Sequence, residues 1–179
     1  LFTSYGISGP PILQLSRTAI QYMNMGKEVI LKVSIIHTKN EDELFEYLCK
    51  RFDYMPRKTI EIALIGLINK RLIIPILKEL NIDKNKRVGN FSKEEIRAIS
   101  RILTSWDFKI IGSKSFSDAQ VTAGGVNTNE VNNQTMESKI VKGLYIVGEL
   151  LDIDGDCGGF NLQWAWSSGY VAGLNAALN

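Results

Sequence analysis

The residues whose types and order could do chemistry lie between Gly143 and Gly173. An apolar run, Gly143-Leu-Tyr-Ile-Val-Gly148, is followed by Glu149, then by a turn carrying Gly155, Gly158 and Gly159. A helix is predicted from Asn161 to about Leu178. The apolar run bounded by glycines reads as a fully buried strand of the parallel kind. Glu149 at its end would place a carboxylate at the carboxyl edge of a sheet, where open α/β folds hold their ligands. The glycines after it let backbone approach a flat or bulky ligand closely. A helix start at Asn161 would aim unpaired N–H groups and a positive dipole end at that ligand. Such an end stabilises negative charge on a phosphate or on a reduced ring. Ala165, Gly169 and Gly173 recur every four residues, a small-residue stripe that permits close packing against another element and that would be exposed here if the rest of the sheet is missing. Turn geometry alone would also account for the glycines of the 155–159 turn.

Other reactive residue types carry weaker patterns. Asp152, Asp154 and Asp156 imitate the first half of a calcium loop, but position six is Cys157 instead of Gly and position twelve is Gln163 instead of Glu. Solvated acids, or the polar rim of a cofactor site, are the better reading. His37 is the single histidine and Cys49 and Cys157 lie far apart, so no metal site is expected. Cys49 on a helical face reads as core, Cys157 as an incidental small residue and His37 as surface. Trp164 and Trp166 point to different helix faces, one predicted for the core and the other to cover an interface or the missing sheet. Tyr5, Tyr145 and Tyr170 could donate protons, but nothing beyond their presence says so.

The elements that must position these groups follow from composition and periodicity. In 179 residues, 45% hydrophobic and 22% charged is the balance of a globular chain, which excludes disordered and collagen-like classes. Apolar runs such as Ile62–Ile65 are too short for a membrane span, and no signal peptide is visible. The unpatterned cysteines fit the cytoplasm. Residues 39–109 hold 15 Lys and Arg against 11 Asp and Glu, whereas residues 141–179 hold one Lys against four acids. Two subdomains are the simplest reading. Up to Ile36 the chain shows turn signals, a helical stretch over 12–25 and a half-buried strand over 28–36. Residues 39–105 read as helices: 41–51, 57–68, 72–80 with Pro75 near its start, and one opened by a capping box at Ser92 to Glu95. Strands are predicted at 108–112 and 121–126, with an Asn-rich surface loop over 127–135.

Three segments carry a resemblance. Leu1-Phe-Thr-Ser-Tyr-Gly-Ile-Ser-Gly-Pro10, Ala119-Gln-Val-Thr-Ala-Gly-Gly-Val126 and the long block from Gly143 to Gly169 resemble the YhiN/HI0933-type (BaiN-like) family of FAD-dependent, NAD(P)-linked oxidoreductases. The likeness runs through the chain end to end and in order. It implies an α+β chain: an insert domain with a β-barrel part and a helical part, followed by the last strand and long helix of a two-dinucleotide-binding-domain flavoprotein. Residues 1–38 would be the β-rich part of the insert, 39–106 its helical part, 107–117 the return strand, and 118–179 the C-terminal segment of an incomplete Rossmann-like FAD domain.

The resemblance also implies roles. Glu149 would hydrogen-bond a ribityl hydroxyl of FAD. Gly158, Gly159, Phe160, Asn161 and Leu162 would face the pyrimidine end of the isoalloxazine, and Thr122, Gly124 and Gly125 would run near the ring and substrate. NAD(P)H would be the reductant and an organic molecule, of the unsaturated carbonyl type, the substrate; no catalytic acid or base is identified. Two departures stand out. Ser4 occupies a position that is usually His in the family, and no G-x-G-x-x-G occurs anywhere. With Leu1 in place of Met, the chain therefore reads as a fragment lacking the N-terminal ADP-binding βαβ unit. As such it is expected to hold FAD weakly or not at all, to be inactive alone, and to pair with the missing region or with a second copy. No membrane partner is expected and nucleic acid is disfavoured. The alternative function is a non-catalytic helical module binding a protein or acidic partner through the basic 39–109 zone.

Overall fold

The computed structural model describes residues 1–178. They form a mixed α/β chain of six α-helices and four short strands. The strands make two separate antiparallel pairs, and the chain divides into two compact units, Glu28–Ile110 and the two flanking stretches Leu1–Lys27 with Ile111–Asn179.

In the first flanking stretch, β1 (Phe2–Thr3) pairs with β2 (Gly6–Ile7), and α1 (Pro10–Asn24) opens on two prolines, residues whose fixed φ suits a first helical turn. The contiguous unit begins with β3 (Ile30–Val33), which pairs with β4 (Trp106–Lys109), Ile30 opposite Lys109 and Val33 opposite Trp106. Between these strands lie α2 (Glu41–Asp53), α3 (Ile60–Ala63), α4 (Lys70–Glu79) and α5 (Lys93–Thr104).

Two capping boxes start the helices that build this unit's core. Asn40 accepts from the Glu43 N–H while Glu43 reaches back to the Asn40 N–H, and Ser92 and Glu95 repeat the exchange on α5. Helical spacing then turns Leu44, Leu48 and Phe52 of α2 and Ile96, Ile99, Ile102 and Leu103 of α5 inward, where Ile73, Ile76 and Leu77 of α4 join them. Ser100, fully buried in α5, satisfies its hydroxyl by donating to the Ile96 carbonyl, 3.0 Å away.

The predicted 57–68 helix is only α3. Thr59 is held extended by an antiparallel bridge to Arg87, flanked by bonds from the Ile60 N–H to the Lys86 carbonyl and from the Val88 N–H to the Lys58 carbonyl, each at 2.9 Å. The carbonyls at the end of α3 are taken by Arg51, whose Nε and Nη2 reach Ala63 and Ile65 at 2.9 and 3.0 Å. Pro75 sits inside α4, not near its start; it and Arg71, whose carbonyl it leaves without a helical donor, are both exposed to water.

Lys86 pairs with Glu95 at 2.5 Å, and this contact together with the Ser92 backbone N–H holds the Glu95 carboxyl below the usual carboxylate range. A depressed carboxyl stabilises the fold above its unfolded pKa, and that contribution is lost as pH falls through the folded value. Acid titration followed by circular dichroism should therefore show Glu95→Gln removing part of the low-pH loss of stability. An unchanged acid profile in that variant would refute the assignment.

In the second flanking stretch, α6 (Phe160–Leu178) is apolar on nearly every side. Ser168 and Ala172 are buried and Trp164 and Ala165 half-buried, while Leu162, Trp166, Tyr170 and Leu174 are exposed. Trp164 is thus half-buried, outside the main core, and Trp166 exposed, while Gly169 and Gly173 of the small-residue stripe both have open space beside them. The predicted buried strand over 143–148 is not a regular strand. Its backbone meets residues 136–138 through a single antiparallel bridge, Glu137 to Tyr145, with the Ile146 N–H donating to the Met136 carbonyl at 3.0 Å. A buried strand needs hydrogen-bonded neighbours along its edges, and this run is held by an isolated bridge instead of a ladder. The 121–126 stretch likewise is irregular up to Val126, which forms a parallel bridge with Leu151. Within the 127–135 loop Val131 is buried. No described helix is long and apolar enough to cross a membrane.

Candidate functional site

The two glycine-containing segments singled out in the sequence are joined in space. The Val126 N–H donates to the Leu150 carbonyl at 2.8 Å, and the Asp152 N–H returns to the Val126 carbonyl at 3.0 Å. Two carboxylates reinforce the seam: Glu149 Oε1 accepts from the Thr122 N–H at 2.5 Å and Asp152 Oδ1 from the Gly124 N–H at 3.1 Å. Thr122, Gly124, Gly125 and Glu149 are therefore brought together. Gly125 lies against the Leu150–Asp152 backbone so closely that a Cβ would stand 2.6 Å from the Leu150 oxygen.

Gly148, just before Glu149, is buried and pinned to α6. Its N–H donates to Ser168 Oγ at 3.0 Å, its carbonyl accepts from Trp164 Nε1 at 3.1 Å, and Ser168 Oγ donates to the Trp164 carbonyl at 2.7 Å. Replacing Ser168 by alanine strands a buried amide, a loss of about 1–2 kcal/mol. Urea unfolding should register it, and an unaltered midpoint would mean that water satisfies Gly148 instead.

From Asp152 the chain runs to the glycine turn and the start of α6. Gly158 and Gly159 adopt φ of 139° and 94°, a region that side chains with a Cβ rarely enter, and a Cβ on Gly159 would meet nothing within 4 Å. Gly159 thus faces open space, whereas a Cβ on Gly158 would stand 3.6 Å from the Phe160 ring. The Gln163 N–H donates to the Gly159 carbonyl at 3.0 Å, so the N–H groups of Phe160, Asn161 and Leu162 are those a helix start leaves without intrahelical acceptors. α6 has no acid in its first turn. The Asn161 side chain is turned back instead, accepting from the Gly155 N–H at 2.7 Å and donating to the Gly155 carbonyl at 2.9 Å.

The three aspartates of the imitated calcium loop go to three different protein partners. Asp152 holds Gly124, Asp154 pairs with Arg17 at 2.5 Å, and Asp156 accepts from Gln14 Nε2 at 2.5 Å. The Cys157 N–H donates to the other end of the same amide, Gln14 Oε1, at 2.9 Å. Gln14 and Arg17, three apart on one face of α1, were not visible as site residues in the sequence. The one signal that could have found them is the match of an amide and a cation at helical spacing to two acids at spacing two.

The remaining reactive types sit elsewhere. His37 is exposed. Cys49 is half-buried in the helical unit, where burial pushes its thiol pKa up, which suppresses thiolate chemistry. In the basic zone, Lys86 is paired to Glu95, Arg97 to Asp42 and Arg101 to Glu41, so part of its positive charge is neutralised locally.

Comparison with known proteins gives a family. The HI0933-like protein Rossmann domain matches residues 12–175. The chain is 37% identical over 175 residues to a 3-dehydro-bile acid delta(4,6)-reductase of Clostridium scindens, covering 98% of this chain and 43% of that protein. It is 34% identical to a ribosomal RNA dihydrouridine synthase of Haemophilus influenzae, with 98% and 41% covered, and 34% identical to one of Escherichia coli, with 96% and 40% covered. The chain thus spans about two fifths of the length of these curated relatives. A match over nearly the whole chain, carrying the seam and the glycine turn with it, places this protein in the HI0933-like family.

Proposed function

We propose that the protein is part of a FAD-dependent oxidoreductase that moves hydride from NAD(P)H to an unsaturated carbonyl compound. The observation that carries this reading is the seam itself: two remote segments, paired backbone to backbone, that end at an open glycine turn and a helix start without an acid. The residues present fit a flavin. Phe160, Asn161 and Leu162 would direct N–H groups and the positive helix end at the electron-rich pyrimidine edge. Gly159 offers bare backbone to a flat ring. Glu149 spends Oε1 on Thr122 and keeps Oε2 for a hydroxyl, while Thr122, Gly124 and Gly125 line the seam beside it. When bound, the flavin would supply hydride transfer, and the chain would supply position and electrostatics.

The substrate class is supported by the names of the relatives. A 3-dehydro delta(4,6) compound and a uridine share a carbon–carbon double bond conjugated to a carbonyl. The architecture of an insert domain carried on a two-dinucleotide-binding flavoprotein, with the 28–110 unit inside that insert, belongs to the same proposal.

The test uses the protein at its natural full length, incubated with FAD and freed of excess. Bands near 370 and 450 nm, at about the positions of any bound flavin, bleached by NADH or NADPH and restored by an enone, are the expected result. Glu149→Gln, which keeps the shape and removes the charge, should weaken uptake. No flavin bands, with salt-dependent retention of a polyanion, would replace this reading by a helical binding module.

A further inference from the structure

The N-terminus of α6 is flanked by acids that could block it. Asp156 stands four residues before Phe160, and Asp154 two further back. Carboxylates are among the best acceptors for the first-turn N–H groups of a helix, so an unrestrained Asp156 would tend to cap α6 and bring negative charge to the end facing the ligand. In the structure both acids are bonded to side chains of α1. Gln14 grips the loop at two atoms, Asp156 Oδ1 and the Cys157 N–H, and Arg17 holds Asp154. Asn161 fixes Gly155 between them. We propose that Gln14 and Arg17 are positioning residues that draw Asp156 and Asp154 away from the start of α6, keeping that helix end open for the flavin. The proposal rests on the flavin reading for its ligand, but not for its geometry.

Their role is electrostatic and separable from simple bracing of the loop. Loss of Gln14 frees a carboxylate to compete with the ligand, and removal of that carboxylate should undo the damage. In the full-length protein, Gln14→Ala should weaken FAD binding about tenfold, the scale on which outer-shell supports act at metal sites. Gln14→Ala combined with Asp156→Ala should recover most of it, read by quenching of flavin fluorescence. In the protein without FAD, Gln14→Ala should slow hydrogen exchange at the amides of Phe160, Asn161 and Leu162, because Asp156 now caps them, and the double variant should reverse that too. Exchange at these amides that is unchanged or faster in Gln14→Ala overturns the proposal, as does a double variant that binds FAD no better than the single one. A wild-type protein that takes up no flavin overturns the flavin reading instead, and the exchange data alone then decide whether the acids are held off the helix.

Discussion

Gly125→Ala should cost about 3 kcal/mol of stability in the unit that contains the seam, a value at the upper end for overpacked sites. The new Cβ would stand 2.6 Å from the Leu150 oxygen, 2.8 Å from the Leu151 carbonyl carbon and 2.9 Å from the Asp152 nitrogen. All three are backbone atoms, so no side chain can rotate out of the way. Relief requires the 122–126 segment to lift off. That sacrifices the bonds of Val126 to Leu150 and of Asp152 to Val126, and it loosens the carboxylate contacts of Glu149 and Asp152. Gly124→Ala is the internal control: its φ of 100° disfavours a side chain, but a Cβ there meets nothing within 4 Å. Its cost should stay near 1 kcal/mol, the strain of the conformation alone. Urea unfolding of both variants checks the contrast, and equal losses would mean that the close approach is not what makes position 125 a glycine. If the seam supports the flavin, Gly125→Ala should also lose FAD before Gly124→Ala does.

The other large effect belongs to the helical unit. Leu48→Ala should destabilise it by about 3 kcal/mol, within the range for a fully buried leucine. Leu48 is completely enclosed, on the face of α2 that packs against α5. The core cluster it belongs to draws on three helices started by side-chain caps at Asn40, Asn69 and Ser92. Trp106, 8% exposed and counted in the same core, reports the transition by fluorescence. Ile62 is of comparable size but half exposed, and Ile62→Ala should change stability by less than about 1 kcal/mol. A Leu48→Ala loss as small as that of Ile62→Ala would show that the α2–α5 interface is not the source of the unit's stability.

The helical unit was the more legible half of the chain. Its signals are local: Ser92 followed by Glu95, or Leu44 followed by Leu48, names a cap or a face within one turn. The predicted α2 and α5 accordingly match the structure closely. The 57–68 helix failed because its start depends on residues 84–88, which bridge Thr59 in an extended conformation and leave the helix to begin only at Ile60. In the 111–178 stretch the decisive partners are remote. The apolar 143–148 run has the composition of a buried strand, yet composition does not supply neighbours, and with a single bridge to 136–138 it remains irregular. The glycines at 124, 125, 158 and 159 were legible as a pattern, but the reason for Gly125, the backbone of Leu150–Asp152 against it, was not. Gln14 and Arg17 were hidden for the same reason: their partners lie 142 and 137 positions away.

The pairing of β3 with β4 has a consequence for the order in which the chain assembles. Ile30 lies opposite Lys109, the Ile110 N–H donates to the Val29 carbonyl at 2.9 Å, and Glu28 pairs with Lys109 at 2.8 Å. The helical unit therefore closes at its own root, with entrance and exit side by side. On the ribosome everything it needs has emerged once residue 110 is out, whereas the flanking unit must wait for α6. Domains tend to fold as units as they emerge, so the helical unit should reach its native state first. By then it has already met part of the loop-closure entropy that opposes α1 finding the Asp154–Cys157 turn. The helical unit acts as a folded staple that shortens the effective chain between the two stretches of the flanking unit.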